Sequence, residues 1–262
     1  MILNLYRHRN YIVRNAWSDL RLRYAGSGMG IFWNVIIPLA QILIYTVVFS
    51  RLMSFRSPGM ASNRYAFVLY LCSGLFPWIA FSRSITRGSN ALLVNARHLK
   101  MLPIPEEIFV AQSAMADTFS LLIYLVLLVV AGLLVGQPLG WPSLLLPLVA
   151  VLFQGLAFGI GLLLSSLRVF FRDIGQALGI ATQLWMWTLP IIYVESILPE
   201  NLQSLLTFNP PYIYITSFRD LFLHNRIPPL ATWGGMVAWA AGFALLGSIV
   251  LHKLRPELRD AL

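Results

Sequence analysis

Long stretches without a charged side chain restrict this chain more than any other feature. Four stretches of 18 to 27 uncharged residues occupy 24–50, 65–82, 174–194 and 227–251, and one of 50 occupies 118–167. A helix that spans a bilayer needs about 20 apolar residues. Charged residues make up 11% of the 262 residues, against about 25% in a soluble domain. The composition therefore favours a membrane protein over a soluble enzyme, a disordered chain or a disulfide-stapled secreted domain.

The 50-residue stretch is too long for a single span. Its middle, residues 136–142, reads GQPLGWP and is typical of a turn. Unpaired backbone groups are not tolerated in lipid, so helices are expected, and the stretches lack the alternation of β-barrel strands. We therefore predict an all-α membrane protein with one transmembrane domain, 1–262. Its six transmembrane helices are predicted at 30–53, 65–85, 108–135, 143–167, 174–194 and 228–251.

The distribution of lysine and arginine predicts the orientation. Fourteen of these residues lie in the N-terminal segment, the loops after spans two and four, and the C-terminal tail, and five lie on the opposite side. Basic residues collect in cytoplasmic loops, so both termini are expected in the cytoplasm. The basic residues of these cytoplasmic segments account for the net charge of +9, so no nucleic-acid partner is expected.

The N-terminal segment, residues 1–27, is predicted to form a cytoplasmic amphipathic helix in the membrane interface. Its apolar stripe comprises Leu5, Val13, Trp17, Leu20 and Tyr24. Arginines beside such a stripe extend their side chains to lipid phosphates. Two interpretations remain open: simple anchoring, and additional contact with a cytoplasmic partner or a lipid-linked anionic substrate. The candidate residues for the second are Arg7, Arg14, Arg21 and Arg23.

The sequence lacks the motifs of a catalytic chain. It has no phosphate-binding loop of the form GxxxxGK[ST], no HExxH, no GxSxG and no paired cysteines. No catalytic residue and no metal site are predicted, and energy from a nucleotide must come from another chain. Asp117, close to the start of span three, is expected at the cytoplasmic interface or paired with an arginine.

The cytoplasmic loop after span two supplies a candidate docking surface for a soluble partner. Residues 88–101 are predicted to form a short amphipathic helix. A proline break and the acidic pair Glu106 and Glu107 follow, in the first turn of span three, where the helix dipole favours anions. The candidate coupling residues are Leu92, Val94, Asn95, Arg97, Lys100 and Glu106.

The longest external segment, 195–226, is predicted to hold two short re-entrant helices between spans five and six. They are broken at Asn209 and Pro210, the candidate gate. Irregular backbone at membrane depth requires protein or water beside it. Aromatic residues near the spans are explained either by interfacial belts or by stacking against sugar rings. The candidates for a glycan channel are Trp185, Trp187, Tyr193 and Tyr45.

Five segments together resemble the transmembrane subunits of type 2 ABC exporters, in the polysaccharide-export branch that moves O-antigen, capsule or teichoic acid. Residues 19–39, DLRLRYAGSGMGIFWNVIIPL, are similar to the family pattern DLxxRYxxSxLGxxWxxxxPL, with Met29 in place of leucine. The other four are GLFPW at 74–78, NARHLKMLPIPEE at 95–107, RD at 172–173, and NP at 209–210 followed by FRD at 218–220. Pro105 stands where the family's docking segment has arginine.

The resemblance implies a homodimer that binds two copies of a cytoplasmic ABC ATPase, in the bacterial inner membrane. ATP and Mg would be bound by that partner, with no cofactor in this chain, which is itself not an enzyme. Residues 88–101 resemble the coupling helix, and the N-terminal helix resembles one that lines a lateral entry. The substrate would be a glycan on polyprenyl diphosphate. Alternatives are a type 2 exporter of a drug or lipid, a membrane-embedded glycan transferase, and a non-catalytic scaffold.

Overall fold

The structure, a computed structural model, describes residues 1–52, 65–101 and 103–261. Within these ranges the chain is helical and contains no strand. The α-helices are α1 (Ile2–Arg7), α2 (Arg9–Leu22), α3 (Trp33–Leu52), α4 (Ala66–Val94), α5 (Ala96–Met101), α6 (Glu107–Leu134), α7 (Leu146–Arg168), α8 (Ile174–Trp187), α9 (Glu200–Leu206), α10 (Pro210–Phe222) and α11 (Leu230–Ala261). Of the residues used to predict orientation, Arg56 and Arg64 lie outside the described ranges, as does residue 53 of the first predicted span.

Five helical segments in the described residues are long and apolar enough to cross a membrane. They are Gly30–Phe49, Ala66–Val94, Glu107–Leu134, Trp141–Arg168 and Leu230–Leu258. The all-helical fold is therefore confirmed, and five of the six predicted spans coincide with helical segments long and apolar enough to cross a membrane. The span predicted at 174–194 is not, because its helix, α8, has 14 residues and extends only about 21 Å at 1.5 Å per residue.

Several predicted boundaries differ from the observed helices. The predicted N-terminal helix 1–27 is two helices, α1 and α2, which break at His8 and end at Leu22. The predicted docking helix 88–101 is also divided, because α4 continues to Val94 and α5 starts at Ala96. Between them, Asn95 leaves helical geometry at φ −101° and ψ 16°. Its side-chain amide donates to the carbonyl of Ala91 at 2.8 Å, a local bond that competes with helix continuation.

The core lies among α4, α6 and α7, and glycines let the helices approach closely. Gly88 on α4 and Gly161 on α7 face each other so closely that a Cβ added to either would lie 3.3 Å from the other's Cα. Association of helices in lipid depends on such packing, since lipid chains are as apolar as the side chains. By contrast, most of the apolar surface of α3 and α11 is exposed in this chain.

The external segment packs into the same core through α10. Tyr214 is fully buried, stacks on Phe153 of α7 at 4.9 Å between ring centroids, and donates to the carbonyl of Met236. At the other end of α10, the turn between α6 and α7 is attached by hydrogen bonds from Gln137 to the carbonyl of Leu223 and from Ser143 to that of Leu221. These contacts fix α10 over the ends of α6 and α7.

Candidate functional site

Helix α2 presents two apolar faces. Ile12, Ala16 and Leu20 are buried in the protein, where α2 packs against α6. Val13 and Trp17 of the predicted stripe each remain 43% exposed, with Trp17 edge-on to Phe119 of α6 at 6.0 Å. The helix therefore packs on protein with one face and leaves the other available to lipid. The predicted stripe combined the two faces: it contains Val13 and Trp17 of the exposed face and Leu20 of the buried face, and it lacks Ile12 and Ala16, whose burial is set by the position of α6.

Four charged side chains join α2, α4 and α6 near the end of α2. Arg23 contacts Asp117 of α6 at 2.9 Å, and Arg87 of α4 contacts the other oxygen of Asp117 at 3.4 Å. Asp19 of α2 pairs with Arg87 and lies 3.7 Å from Arg23. The Asp117 side chain is fully buried. The expectation that Asp117 pairs with an arginine is confirmed, and it pairs with two.

The four arginines proposed for a lipid diphosphate differ in their surroundings. Arg7, Arg14 and Arg21 are exposed. Arg23 has only 13% of its side chain exposed and also donates to Ser120 at 3.3 Å. Beside it, burial raises the pKa of the Tyr24 phenol, which therefore stays neutral at neutral pH. Arg23 consequently holds helices together, and the three exposed arginines are the ones accessible to a phosphate.

The candidate coupling residues divide into buried and exposed groups. Leu92 is fully buried in α4, and Glu106 is 2% exposed. Val94, Arg97 and Lys100 are exposed at the end of α4 and on α5. A soluble partner therefore has access to the exposed three, and the buried two can act only through the position of the segment.

A contact that was not predicted from the sequence links α1 and α11 to the start of α6, directly after the docking segment. Arg255 of α11 contacts Glu106 at 2.7 Å and Glu107 at 3.2 Å. Asn4 of α1 donates to Glu107 at 2.9 Å. Glu107 lies in the first turn of α6, as predicted. Partners separated by more than 100 positions leave no local pattern, so only the folded chain reveals this contact.

Trp185 and Asn209, predicted as a channel residue and a gate residue, lie in contact. The indole N–H of Trp185 donates to Asn209 Oδ1 at 2.8 Å, and the Asn209 amide donates to Thr188 at 3.0 Å. The Trp185 ring packs edge-on to Trp78 and Phe81 at 5.9 and 5.8 Å. This hydrogen bond ties the end of α8 to the start of α10, where Pro210 is the first residue.

The other predicted aromatics lie in separate places. Trp187 is 56% exposed and, two residues from Trp185, lies on a different side of α8. Tyr193 is half-buried and donates to the carbonyl of Trp187 at 3.3 Å. Tyr45 is half-buried on α3, beside Phe49. The structure therefore brings Trp187 and Tyr193 together and leaves Tyr45 on another helix.

An exposed stripe on α8 was not identified from the sequence. Gln176, Ile180, Gln183 and Trp187 are all exposed, and their spacing of four, three and four places them on one helix face. Glutamine amides need hydrogen-bond partners that lipid chains cannot supply. Within residues 230–250 of α11, the exposed large side chains, including Val237, are all apolar. The stripe on α8 therefore suits water, a sugar or another protein surface, and α11 suits lipid.

Arg219 of α10 joins α4 to the residues that follow α8. Arg219 of α10 is 5% exposed, lies 3.7 Å above the ring of Tyr70 on α4 and donates to the carbonyl of Ile191 at 3.3 Å. A Cβ added to Gly74 would lie 2.9 Å from the Arg219 guanidinium. Arg219 and Gly74 belong to two of the motifs quoted above. Gly74 leaves room for the Arg219 side chain, which in turn holds the residues that follow α8.

No group of three His, Cys, Asp or Glu able to hold a metal occurs in the described part of the chain.

The fold and these contacts define a multi-pass helical membrane protein whose buried charged side chains join helices. The profile of the ABC-2 type transporter family matches residues 11–223, and the chain belongs to that family. The resemblance to its polysaccharide-export branch is confirmed by the relatives. The O-antigen export system permease protein RfbA of Klebsiella pneumoniae is 29% identical over 214 residues, 80% of this chain and 79% of the relative.

Two further relatives extend the similarity along almost the whole chain. RfbA of Myxococcus xanthus is 26% identical over 264 residues, 100% of this chain and 99% of the relative. The polysialic acid transport protein KpsM of Escherichia coli is 23% identical over 244 residues, 91% of both chains. The chain is thus a permease of the ABC-2 exporter type, consistent with a non-enzymatic transmembrane component.

Proposed function

We propose that this chain is the transmembrane subunit of an ATP-driven exporter that moves a lipid-linked polysaccharide, an O-antigen-like glycan on polyprenyl diphosphate, across the bacterial inner membrane. The observation that carries the proposal is the similarity over the full chain to permeases named for O-antigen export. Two copies of the chain bind two copies of a cytoplasmic ABC ATPase. That partner holds ATP and Mg, and this chain holds no cofactor.

A sixth crossing, formed by α8 and the non-helical residues after it, keeps both termini in the cytoplasm. Arg168, six residues before α8, donates to Ser89 of α4 at 2.9 Å. Beyond α8, the carbonyls of Pro190 and Tyr193 accept from Tyr70 of α4 at 3.2 and 3.1 Å. Ser89 and Tyr70 are 19 residues apart on α4, or about 28 Å along its axis. That length matches the roughly 30 Å hydrocarbon core and supports a crossing.

The external helices α9 and α10 are re-entrant in this proposal. Tyr214 of α10 stacks on Phe153, which lies seven residues, or about 10 Å, inside the external end of α7. The bond between Trp185 and Asn209 joins α10 to the end of the crossing formed by α8. Asn209 and Pro210 can therefore act as a gate, because a movement of α8 would carry them.

The translocation pathway lies along the exposed stripe of α8, between two copies of the chain. Gln183 supplies amide hydrogen bonds and Trp187 a flat aromatic face, a combination that suits a sugar ring with polar edges and apolar faces. A second copy is required, since this stripe would otherwise face lipid. Trp185 packs against Trp78 and Phe81, whereas Trp187 is exposed. Trp187 is therefore the stronger candidate of the two for contact with glycan.

The lipid head group and the ATPase bind on the cytoplasmic side. Arg7, Arg14 and Arg21 are exposed, and guanidinium groups form strong paired hydrogen bonds with phosphate. The ATPase docks on the exposed residues Arg97 and Lys100 of α5. The contact of Arg255 with Glu106 and Glu107 holds this docking segment in place.

The test is ATP hydrolysis by the co-purified complex in lipid, with and without a glycan on polyprenyl diphosphate. We expect the glycolipid to stimulate hydrolysis. The double variant Arg97→Glu/Lys100→Glu should lose the stimulation, and the matched variant Lys253→Glu, an exposed cation of α11, should retain it. Hydrolysis that responds to drugs or simple lipids and not to glycolipid would favour the alternative exporter. Recovery of no ATPase would contradict the proposal.

A further inference from the structure

A cavity of about 430 Å³ lies between the N-terminal helices and the α6–α7 pair. Its walls are almost entirely aliphatic or aromatic, with Leu5 and Ile12 on one side, Met115 on α6, and Val151 and Phe158 on α7. Its volume falls in the range of sites that hold small molecules, about 300–1,000 Å³. The contacts described so far, the charged network and the α8 stripe, do not use it.

One polar side chain in the wall of this cavity has no partner in the described protein. Gln154 of α7 is 2% exposed, and both its amide nitrogen and its amide oxygen lack a hydrogen-bond partner among the described residues. A buried amide without a partner costs about 1–3 kcal/mol. The hydroxyl of Thr118, also in the wall, already donates to the carbonyl of Ala114 at 2.8 Å. Gln154 also lines the cavity, so an occupant of the cavity is the group that can supply the missing partner.

The rim of the cavity carries a cation. Arg9 at the start of α2 lines the cavity and is exposed. Its guanidinium lies 4.4 Å from the ring centroid of Tyr6 and donates to the carbonyl of that residue at 3.1 Å. These contacts occupy one N–H and leave other donors for an anion. The occupant thus needs an apolar chain to fill the cavity, a hydrogen-bond acceptor for the Gln154 amide and an anionic group for the Arg9 guanidinium.

We propose that this cavity binds a phospholipid of the leaflet in which α1 and α2 lie. One acyl chain fills the cavity, an ester carbonyl accepts from the Gln154 amide, and the phosphate pairs with Arg9. A polyprenyl chain has no acceptor to offer Gln154 within its hydrocarbon. A sugar would leave most of its hydroxyls without partners against the apolar wall. The phospholipid fills the space between the N-terminal helices and α6–α7.

The experiment uses the full-length protein in vesicles of phosphatidylglycerol and phosphatidylcholine. The probe is phosphatidylglycerol with a photoreactive diazirine in one acyl chain, and labelled residues are identified by mass spectrometry. We expect labelling at Met115, Val151 and Phe158. Gln154→Met, of similar length and without the amide, should reduce that labelling about three- to tenfold, as expected for loss of one hydrogen bond.

Two variants of α6 provide a matched comparison. Ala111→Phe projects into the cavity, where Ala111 lines the wall, and should abolish the labelling. Val130→Phe, at a position 47% exposed on the same helix, should leave it unchanged. If Ala111→Phe fails to fold, Gln154→Met still tests whether the cavity binds the phospholipid. It removes an unpaired amide, so it should be at least as stable as the parent.

Two results would overturn the proposal. The first is labelling of the cavity residues no stronger than labelling around Val130, which would show ordinary contact with surrounding lipid. The second is stronger labelling by a polyprenyl phosphate with the same photoreactive group, unchanged in Gln154→Met, which would assign the cavity to the isoprenoid chain. Neither readout depends on export, so the outcome is independent of the proposed function.

Discussion

Asp117 lies fully buried on α6 and is contacted by two arginines from other parts of the chain. Arg23 directly follows the last residue of α2, outside the spans, and Arg87 belongs to α4. A buried carboxylate is stable only when its charge is paired. Asp117 therefore has a structural role, because it fixes the position of α2 against α4 and α6.

We expect Asp117→Asn to lower the stability of the protein by about 3 kcal/mol, the lower end for breaking a buried ion pair. The loss is not larger because Asp19 still contacts both arginines. The measurement is thermal unfolding of purified protein followed by tryptophan fluorescence. Asp173→Asn, at an exposed carboxylate, is the control and should leave the midpoint unchanged. An Asp117→Asn midpoint equal to that of the control would show that the network does not hold α2.

At the scale of elements, the packing of α7 against α11 depends on the absence of side chains. A Cβ on Gly159 would lie 2.5 Å from the backbone nitrogen of Ala244, and one on Gly247 would lie 2.8 Å from the carbonyl oxygen of Gly159. The backbones of the two helices are thus in direct contact. In lipid this close approach replaces the hydrophobic driving force that a soluble helix pair would have.

Gly159→Ala should destabilise the protein by about 1–3 kcal/mol, because backbone atoms of α11 cannot move aside as a flexible side chain would. Gly242→Ala on α11 is the matched control, since an added Cβ there meets no atom within 4 Å. It should be neutral or stabilising by up to about 1 kcal/mol through helix propensity. Denaturant titration of both variants measures the difference, and equal stabilities would contradict the close packing.

At the scale of the whole molecule, the exposed surface is uneven in chemistry. The face of α8 carries Gln176 and Gln183 between apolar side chains, and the exposed large side chains within residues 230–250 of α11, such as Leu245, are apolar. A membrane protein places amides toward water or protein and hydrocarbon toward lipid. In the dimer proposed above, a second copy of the chain would enclose this face of α8.

Gln183→Cys in a Cys72→Ser background should give a covalent dimer with a bis-maleimide reagent in native membranes. The parent thiol, Cys72, is buried, so its replacement removes only a background reaction. Leu245→Cys, at a position 62% exposed on α11, should remain monomeric on denaturing gels because its face contacts lipid. Crosslinking from Leu245→Cys and none from Gln183→Cys would place the dimer interface on α11.

The membrane class, five of the helices that can cross the bilayer and the family resemblance were predictable from the sequence. These features depend on apolar run length and on motifs of a few adjacent residues. The division of the docking segment at Asn95 was missed because a single side-chain hydrogen bond to Ala91 competes with helix continuation there.

Only the tertiary structure decided which charged residues are paired and which are accessible. Arg14, Arg21 and Arg23 look alike in sequence, and the fold buries Arg23 against Asp117 and leaves the other two exposed. The same holds for Trp185 and Trp187, of which one packs on Trp78 and the other remains exposed. The sequence by itself determined that the chain enters a membrane, because that depends on the summed hydrophobicity of local segments. The role of each polar side chain depends on which distant helix lies against it, and the three-dimensional packing alone sets that.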